Sequence, residues 1–366
     1  MAVVLQRVDK IVGWEVYLKD VQLEFAPGSR HVILGRTLAG KTSLLRIMAG
    51  LDRPSRGRIL VDDRDVTGVT VRKRSVAMVY QQFINYPSLT VFDNIASPLK
   101  LAGLSKSDID RRVRETAAIL HIDNLLDRLP AELSGGQQQR TAIARALVKE
   151  TQLLLLDEPL VNLDYKLREE LRTELQQIFE RRSAVVVYTT TEPAEALMLG
   201  GNIVVMDEGR ILQAGPTPEV YRHPATMRVA EIFSDPPINF IKGRVYDKQA
   251  QLGESIRLPL NAHMAQLSSG PYIFGVRCNH LLLKSTSPND LAVQVMVELC
   301  EINGSETFIH IGYEKTNLVV QAEGVHQLKI GREITVYANP CHFFVYDHEG
   351  KLVASPDQTC FTGTSG

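Results

Sequence analysis

His31-Val32-Ile33-Leu34-Gly35-Arg36-Thr37-Leu38-Ala39-Gly40-Lys41-Thr42-Ser43 decides the fold. An apolar run ends at one glycine, and four residues separate it from a second glycine, which is followed by a lysine and a hydroxyl residue. The helical pattern of Lys41 to Leu51 comes next, so the order is strand, loop, helix. In that context G-x-x-x-x-G-K-[ST] is a phosphate-binding loop. The glycines let backbone N–H groups wrap a phosphate, Lys41 reaches the β and γ oxygens, and the Thr42 hydroxyl can ligate Mg²⁺. The positive end of the helix dipole adds to this. Gly35 to Ser43 are therefore the candidate ATP-binding residues; a plain glycine turn before a helix is the weaker reading, because both flanking elements are present.

Further along, Leu153-Leu154-Leu155-Leu156-Asp157-Glu158 is a continuous apolar strand of the kind buried on both faces of a parallel sheet. Asp157 at its end suits the Mg²⁺ shell, and Glu158 suits the polarisation of an attacking water. Carboxylates at a helix start are the competing reading. Leu133-Ser134-Gly135-Gly136-Gln137 begins 20 residues before Leu153 and precedes a helical stretch. Its serine hydroxyl and glycine N–H groups can be presented to a γ-phosphate.

Around these motifs the chain alternates strands and helices. Residues 1–84 carry strand patterns as well as the loop and its helix, and residues of about 88–150 show apolar positions at three- and four-residue intervals. After the Leu153 strand come a helix beginning near Lys166 and a second buried strand, Ala184 to Thr190. The order predicts an α/β domain over 1–234 with a helical subdomain over about 88–150. Pro236-Pro237 marks a break, beyond which short strands with turn signals predict an all-β, barrel-like domain over 235–366.

Composition sets bounds. With 366 residues, 44% hydrophobic and 23% charged, the chain has the composition of a soluble globular protein of more than one domain. Forty-one basic against 42 acidic residues leave a net charge of -1, which gives no field for nucleic acid. Apolar runs fall far short of the ~18 residues a spanning helix needs, and the N-terminus has no secretory pattern. The expected location is cytosolic. Cys278, Cys300, Cys341 and Cys360 form no CxxC pair, so neither a zinc site nor a redox motif is expected.

The phosphate loop, Leu-Ser-Gly-Gly-Gln and the strand ending Asp157-Glu158, in this order, resemble the ATP-binding subunits of ABC transporters, over the whole chain. The resemblance implies a head-to-tail dimer in which each ATP lies between one subunit's phosphate loop and the other's Ser134 to Gln137 turn. It implies that Gln81 senses Mg²⁺ and the membrane subunit, and that Asp164, in Val161-Asn162-Leu163-Asp164, belongs to the loop crossing the dimer interface. Phe274-Gly-Val-Arg-Cys-Asn-His280 and Asn303-Gly-Ser-Glu-Thr-Phe-Ile-His-Ile-Gly-Tyr313 resemble segments of the small β regulatory domain, OB-like, of carbohydrate importers of the maltose and glycerol-phosphate type. The implied partners are a second ABC ATPase, two transmembrane permease subunits and, indirectly, a periplasmic solute-binding protein. The implied place is the cytoplasmic face of a bacterial inner membrane.

The chain departs from the family at three places. Its strand ends Thr189-Thr190-Thr191-Glu192 where those importers have Thr-His-Asp, so Thr191 holds the switch-histidine position and lacks a ring nitrogen. Val12 holds the position of the adenine-stacking aromatic and offers no stacking face, with Trp14 and Tyr17 as nearby substitutes or as packed strand residues. The phosphate loop reads Arg36-Thr-Leu-Ala-Gly40 in place of a Pro-Ser-Gly-rich run. These departures point to slow hydrolysis at the chain's own loop, an intact signature serving a partner's site, and one half of an unequal ATPase pair as in bacterial glycerol importers. A fully active homodimer is the alternative. A soluble ABC ATPase of ribosomes or chromosomes would need two cassettes or long heptad arms, and neither is present. A regulatory binder acting through the β domain remains open as an added role.

Overall fold

The structure, a computed structural model, describes residues 1–357 except 162, 164, 181 and 261. It divides into two compact units, Met1–Thr217 and Pro218–Gly366.

The first unit opens with alternating strands, β1 (Val3–Val12) and β2 (Glu15–Phe25), whose Val3, Leu5, Val8, Leu18, Val21 and Phe25 point inward. Then come β3 (Arg30–Leu34), α1 (Lys41–Ala49), β4 (Arg56–Val61), β5 (Arg64–Asp65) and β6 (Val76–Val79). The helical stretch is α2 (Val91–Leu101), α3 (Lys106–Ile119) and α4 (Gly135–Leu147). Each begins at a hydroxyl N-cap, Thr90, Ser105 and Ser134, whose oxygen accepts a backbone N–H that would otherwise lack a helical partner. The unit closes with β7 (Leu153–Asp157), α5 (Tyr165–Glu180), β8 (Val185–Thr190), α6 (Pro193–Leu199), β9 (Asn202–Asp207) and β10 (Arg210–Pro216).

Two sheets result. One is antiparallel, ordered β2-β1-β4-β5; the other runs β10-β9-β3-β8-β7-β6, parallel except for β10. Every residue of β7 and β8 is buried, as their unbroken apolar runs require of strands covered on both faces. α1 fills the space between the sheets with Leu44, Leu45, Ile47 and Met48. Each such side chain, fully buried, stabilises by about 1.5–3 kcal/mol. This packing places the C-terminal ends of β3, β7 and β8 side by side, the usual location of ligand sites in open α/β sheets.

Among the described residues of the second part of the chain, α7 (Thr217–Arg222) and α8 (Met227–Ile232) precede eleven strands. They are β11 (Asn239–Tyr246), β12 (Gln249–Leu252), β13 (Ile256–Pro259), β14 (Gly270–Val276), β15 (Leu281–Leu282), β16 (Leu291–Asn303), β17 (Glu306–Tyr313), β18 (Thr316–Glu323), β19 (Glu333–Ala338), β20 (Phe344–Tyr346) and β21 (Leu352–Ala354). They form two antiparallel sheets, β13-β12-β11-β14-β20-β21 and β15-β19-β16-β17-β18, over one apolar core that includes Ile241, Phe274, Val295, Ile309, Val320 and Val345. Arg277 is buried in this unit, 3.7 Å over the Tyr221 ring, and donates to the carbonyls of Phe233 and Tyr221 and to Ser234 Oγ. It ties the segment that holds α7 and α8 to the strands, so the sheet-rich unit begins before Pro236-Pro237.

Candidate functional site

The phosphate loop leaves β3 at Leu34 and enters α1 at Lys41. Gly40 caps that helix at φ 100, and a Cβ there would lie 2.6 Å from the Tyr17 carbonyl oxygen, so glycine is the residue that fits. Leu38, by contrast, holds φ 68 without being glycine and is 94% exposed. A side chain in that region costs about 1–2 kcal/mol, a strain stored in the loop itself. Lys41 is buried and lies along the loop, Nζ donating to the carbonyls of Gly35 (2.7 Å) and Arg36 (3.0 Å). Ser43 is half-buried one position beyond Thr42.

Both carboxylates face this loop. Asp157 Oδ1 accepts from the hydroxyls of Thr42 (3.1 Å) and Thr189 (3.0 Å). Burial pushes the Asp157 carboxyl upward, and those two hydrogen bonds oppose the shift. Glu158 Oε1 is 3.0 Å from Lys41 Nζ, and Glu158 Oε2 accepts from Gln81 Nε2 at 3.3 Å. Glu158 itself holds φ 43, its N–H donating to Thr189 Oγ1 at 2.9 Å. Thus Gly35 to Thr42, Gln81, and the adjacent Asp157 and Glu158 come together from three separate stretches of chain. A hydroxyl, a carboxylate and an amide oxygen make a hard oxygen donor set that suits Mg²⁺ completed by phosphate oxygens.

Ser134 to Gln137 form a second cluster, at the start of α4. Ser134 Oγ accepts from the Gln137 N–H (3.4 Å), and Gln137 Oε1 accepts from the Ser134 N–H (3.0 Å), a reciprocal cap. Because the serine oxygen accepts in this cap, its O–H proton stays available for a phosphate. Ser134 and Gly135 are exposed, and Gly136 is buried against Leu167. Thr191 follows the last residue of β8 and is half-exposed. Asp164 lies outside the described residues.

Val12 is 53% exposed and Trp14 fully exposed, so neither is packed in the core. Tyr17 is partly exposed, with its hydroxyl donating to Glu15 Oε2 and its carbonyl against Gly40. Reading by motif missed Thr189 altogether, since a threonine in an apolar strand looks like strand propensity. It also missed the buried network on the other face of β8, where Tyr188 Oη (3.0 Å) and Thr190 Oγ1 (2.6 Å) share Glu195 Oε2. The run of three threonines was the only signal there.

A phosphate-binding loop at the ends of parallel strands, with two carboxylates against it and a capped serine-glycine turn, defines a nucleotide-hydrolysing cassette. The family model described as ABC transporter matches residues 18–161. A Bacillus subtilis protein described as an uncharacterised ABC transporter ATP-binding protein, YurJ, is 36% identical over 94% of this chain and 97% of its own length. The sn-glycerol-3-phosphate import ATP-binding protein UgpC of Escherichia coli K12 is 36% identical over 91% of this chain and 93% of its own length. A solved dimeric ATP-binding cassette in a post-hydrolysis state, bound to ADP and Pi, matches 59% of this chain and 98% of its own at 29% identity and TM-score 0.54. This chain belongs to the ATP-binding proteins of ABC transporters and is an ATPase whose hydrolysis is coupled to transport. Among the described residues no helix is long and apolar enough to cross a membrane.

Proposed function

We propose that this chain is the motor subunit of an importer for a small hydroxylated or phosphorylated solute, of the glycerol-phosphate, sugar or polyol class. The observation that carries the reading is the full-length similarity to glycerol-phosphate import ATP-binding proteins, which extends through the β-rich second unit. On this reading the nucleotide-binding domain ends near residue 217, and the sheet-rich unit that follows is an OB-like regulatory domain. The chain acts on the cytoplasmic face of the membrane, against two permease subunits fed by a solute-binding protein.

The site residues take roles that follow from their positions. Backbone N–H groups of Arg36 to Gly40 and the start of α1 hold the phosphates. Lys41 exchanges Glu158 for the β and γ oxygens, which releases that carboxylate to accept a proton from the attacking water. Thr42, Asp157 and Gln81 hold Mg²⁺, which when bound neutralises charge on the phosphate oxygens. Gln81 touches Glu158, so movement of the segment after β6 reaches the catalytic carboxylate directly. Ser134 and Gly135 complete the site of the ATPase partner.

We read the chain's own site as the slower of an unequal pair. Thr191 brings no ring nitrogen to the γ-phosphate, and exposed Val12 gives the adenine no aromatic face, while the Ser134 turn is fully capped. The test of the transport reading is uptake into vesicles carrying this chain and its permease subunits, with labelled sn-glycerol 3-phosphate, glycerol and maltose compared. ATP-dependent accumulation of one of them, lost in Lys41→Ala, is expected; ATP hydrolysis with no solute stimulating it and none accumulating would refute it.

A further inference from the structure

The parallel register of β7 and β8 sets Asp157 opposite Thr189. Side chains alternate across a strand, so Tyr188 and Thr190 turn to Glu195 while Thr189 turns to the carboxylates. Its hydroxyl is wholly buried and serves both of them. It donates to Asp157 Oδ1 at 3.0 Å and accepts the Glu158 N–H at 2.9 Å, with the Leu156 carbonyl a more distant 3.4 Å away. Glu158 holds a left-handed φ of 43, which a non-glycine residue keeps only where its surroundings fix it.

We propose that Thr189 is a positioning residue for the metal-nucleotide site: one buried hydroxyl orients the Asp157 carboxylate toward the metal and pins the strained backbone of Glu158. The inference rests on the ATP-binding reading of this loop and not on which solute is carried or how fast the loop turns over. Valine has nearly the shape of threonine, so Thr189→Val keeps the strand packing while removing the donor to Asp157 and the acceptor for Glu158. Serine keeps both. A partner that orients a metal ligand in this way is typically worth roughly 10–100-fold in metal affinity.

The experiment uses the full chain with Mn²⁺ as the probe. Free Mn²⁺ is followed by its electron spin resonance signal in the presence of a non-hydrolysable ATP analogue, and analogue binding is measured separately in EDTA. In Thr189→Val we expect Mn²⁺ affinity to fall roughly tenfold, with analogue binding in EDTA close to that of the parent and a single cooperative unfolding transition retained. Thr189→Ser should restore most of the Mn²⁺ affinity. Unchanged Mn²⁺ affinity in Thr189→Val overturns the proposal, as does an equal loss with and without metal or a serine variant as weak as the valine one. A parent chain that binds no analogue in either condition would overturn the ATP-binding reading together with it.

Discussion

Lys41 Nζ sits 3.0 Å from Glu158 Oε1, with the lysine side chain 4% and the glutamate side chain 13% exposed. On the proposed reading, the cation that grips phosphate is held by the carboxylate that accepts a proton from water. Binding and chemistry are therefore coupled through one ion pair, because phosphate can displace Glu158 only by freeing it.

Glu158→Gln follows from that pair. It removes the competing charge and the proton acceptor together. Hydrolysis at this loop should fall by about 10²–10⁴, while ATP affinity rises by several-fold. Calorimetric titration with ATP beside a phosphate-release assay checks both. Weaker ATP binding in the variant would show that Glu158 assists phosphate binding instead of opposing it.

Gly40→Ala should disable the loop without touching a charged group. The added Cβ meets the Tyr17 carbonyl at 2.6 Å and is required to hold φ 100. Expected is at least a tenfold loss of ATP affinity in the same titration, with the second unit's stability unaltered.

Arg277→Ala removes a buried side chain that donates to two carbonyls and one hydroxyl and stacks on Tyr221. Leaving those acceptors without a donor and opening a void should destabilise the second unit by about 2–4 kcal/mol. Arg277→Lys should recover little, since an ammonium lacks the planar fork. Denaturant unfolding of the full chain, followed by fluorescence, reads the shift.

Acid should weaken the first unit through His31. Burial lowers its pKa from 6.5 to about 4, with Ser29 Oγ 2.8 Å from the ring and Phe25 edge-on to it. The folded state holds the neutral imidazole, so its contribution is complete above 6.5 and is lost as the pH falls from 6.5 toward 4, where the unfolded chain binds the proton first. The gap corresponds to about 3 kcal/mol at its limit. His31→Gln should flatten the dependence of unfolding free energy on pH in that window; an unchanged slope would assign the acid sensitivity to other groups.

The sequence made the chemistry legible where it is local. Gly35 to Thr42 and Leu153 to Glu158 are contiguous, and each carries its flanking strand and helix in plain view. What it hid is pairwise. That Thr189 faces Asp157 depends on the register of two parallel strands 28 residues apart between Asp157 and Val185, and nothing in either strand specifies it. The β12 and β13 hairpin leaves little trace in the sequence because Gln249-Ala-Gln-Leu252 and Ile256-Arg-Leu-Pro259 are short and half polar. The division near residue 217 leaves none because Arg277, a distant residue, holds α7 and α8 in the second unit.

On the proposed reading the chain binds ATP at a loop whose chemistry is limited by Thr191. Steady-state ATP hydrolysis by the full chain, parent against Thr191→His, tests it most directly. Expected are slow turnover in the parent and an increase of about tenfold or more when an imidazole is supplied to the γ-phosphate. Rapid turnover in the parent, with no gain or a loss in Thr191→His, would contradict it.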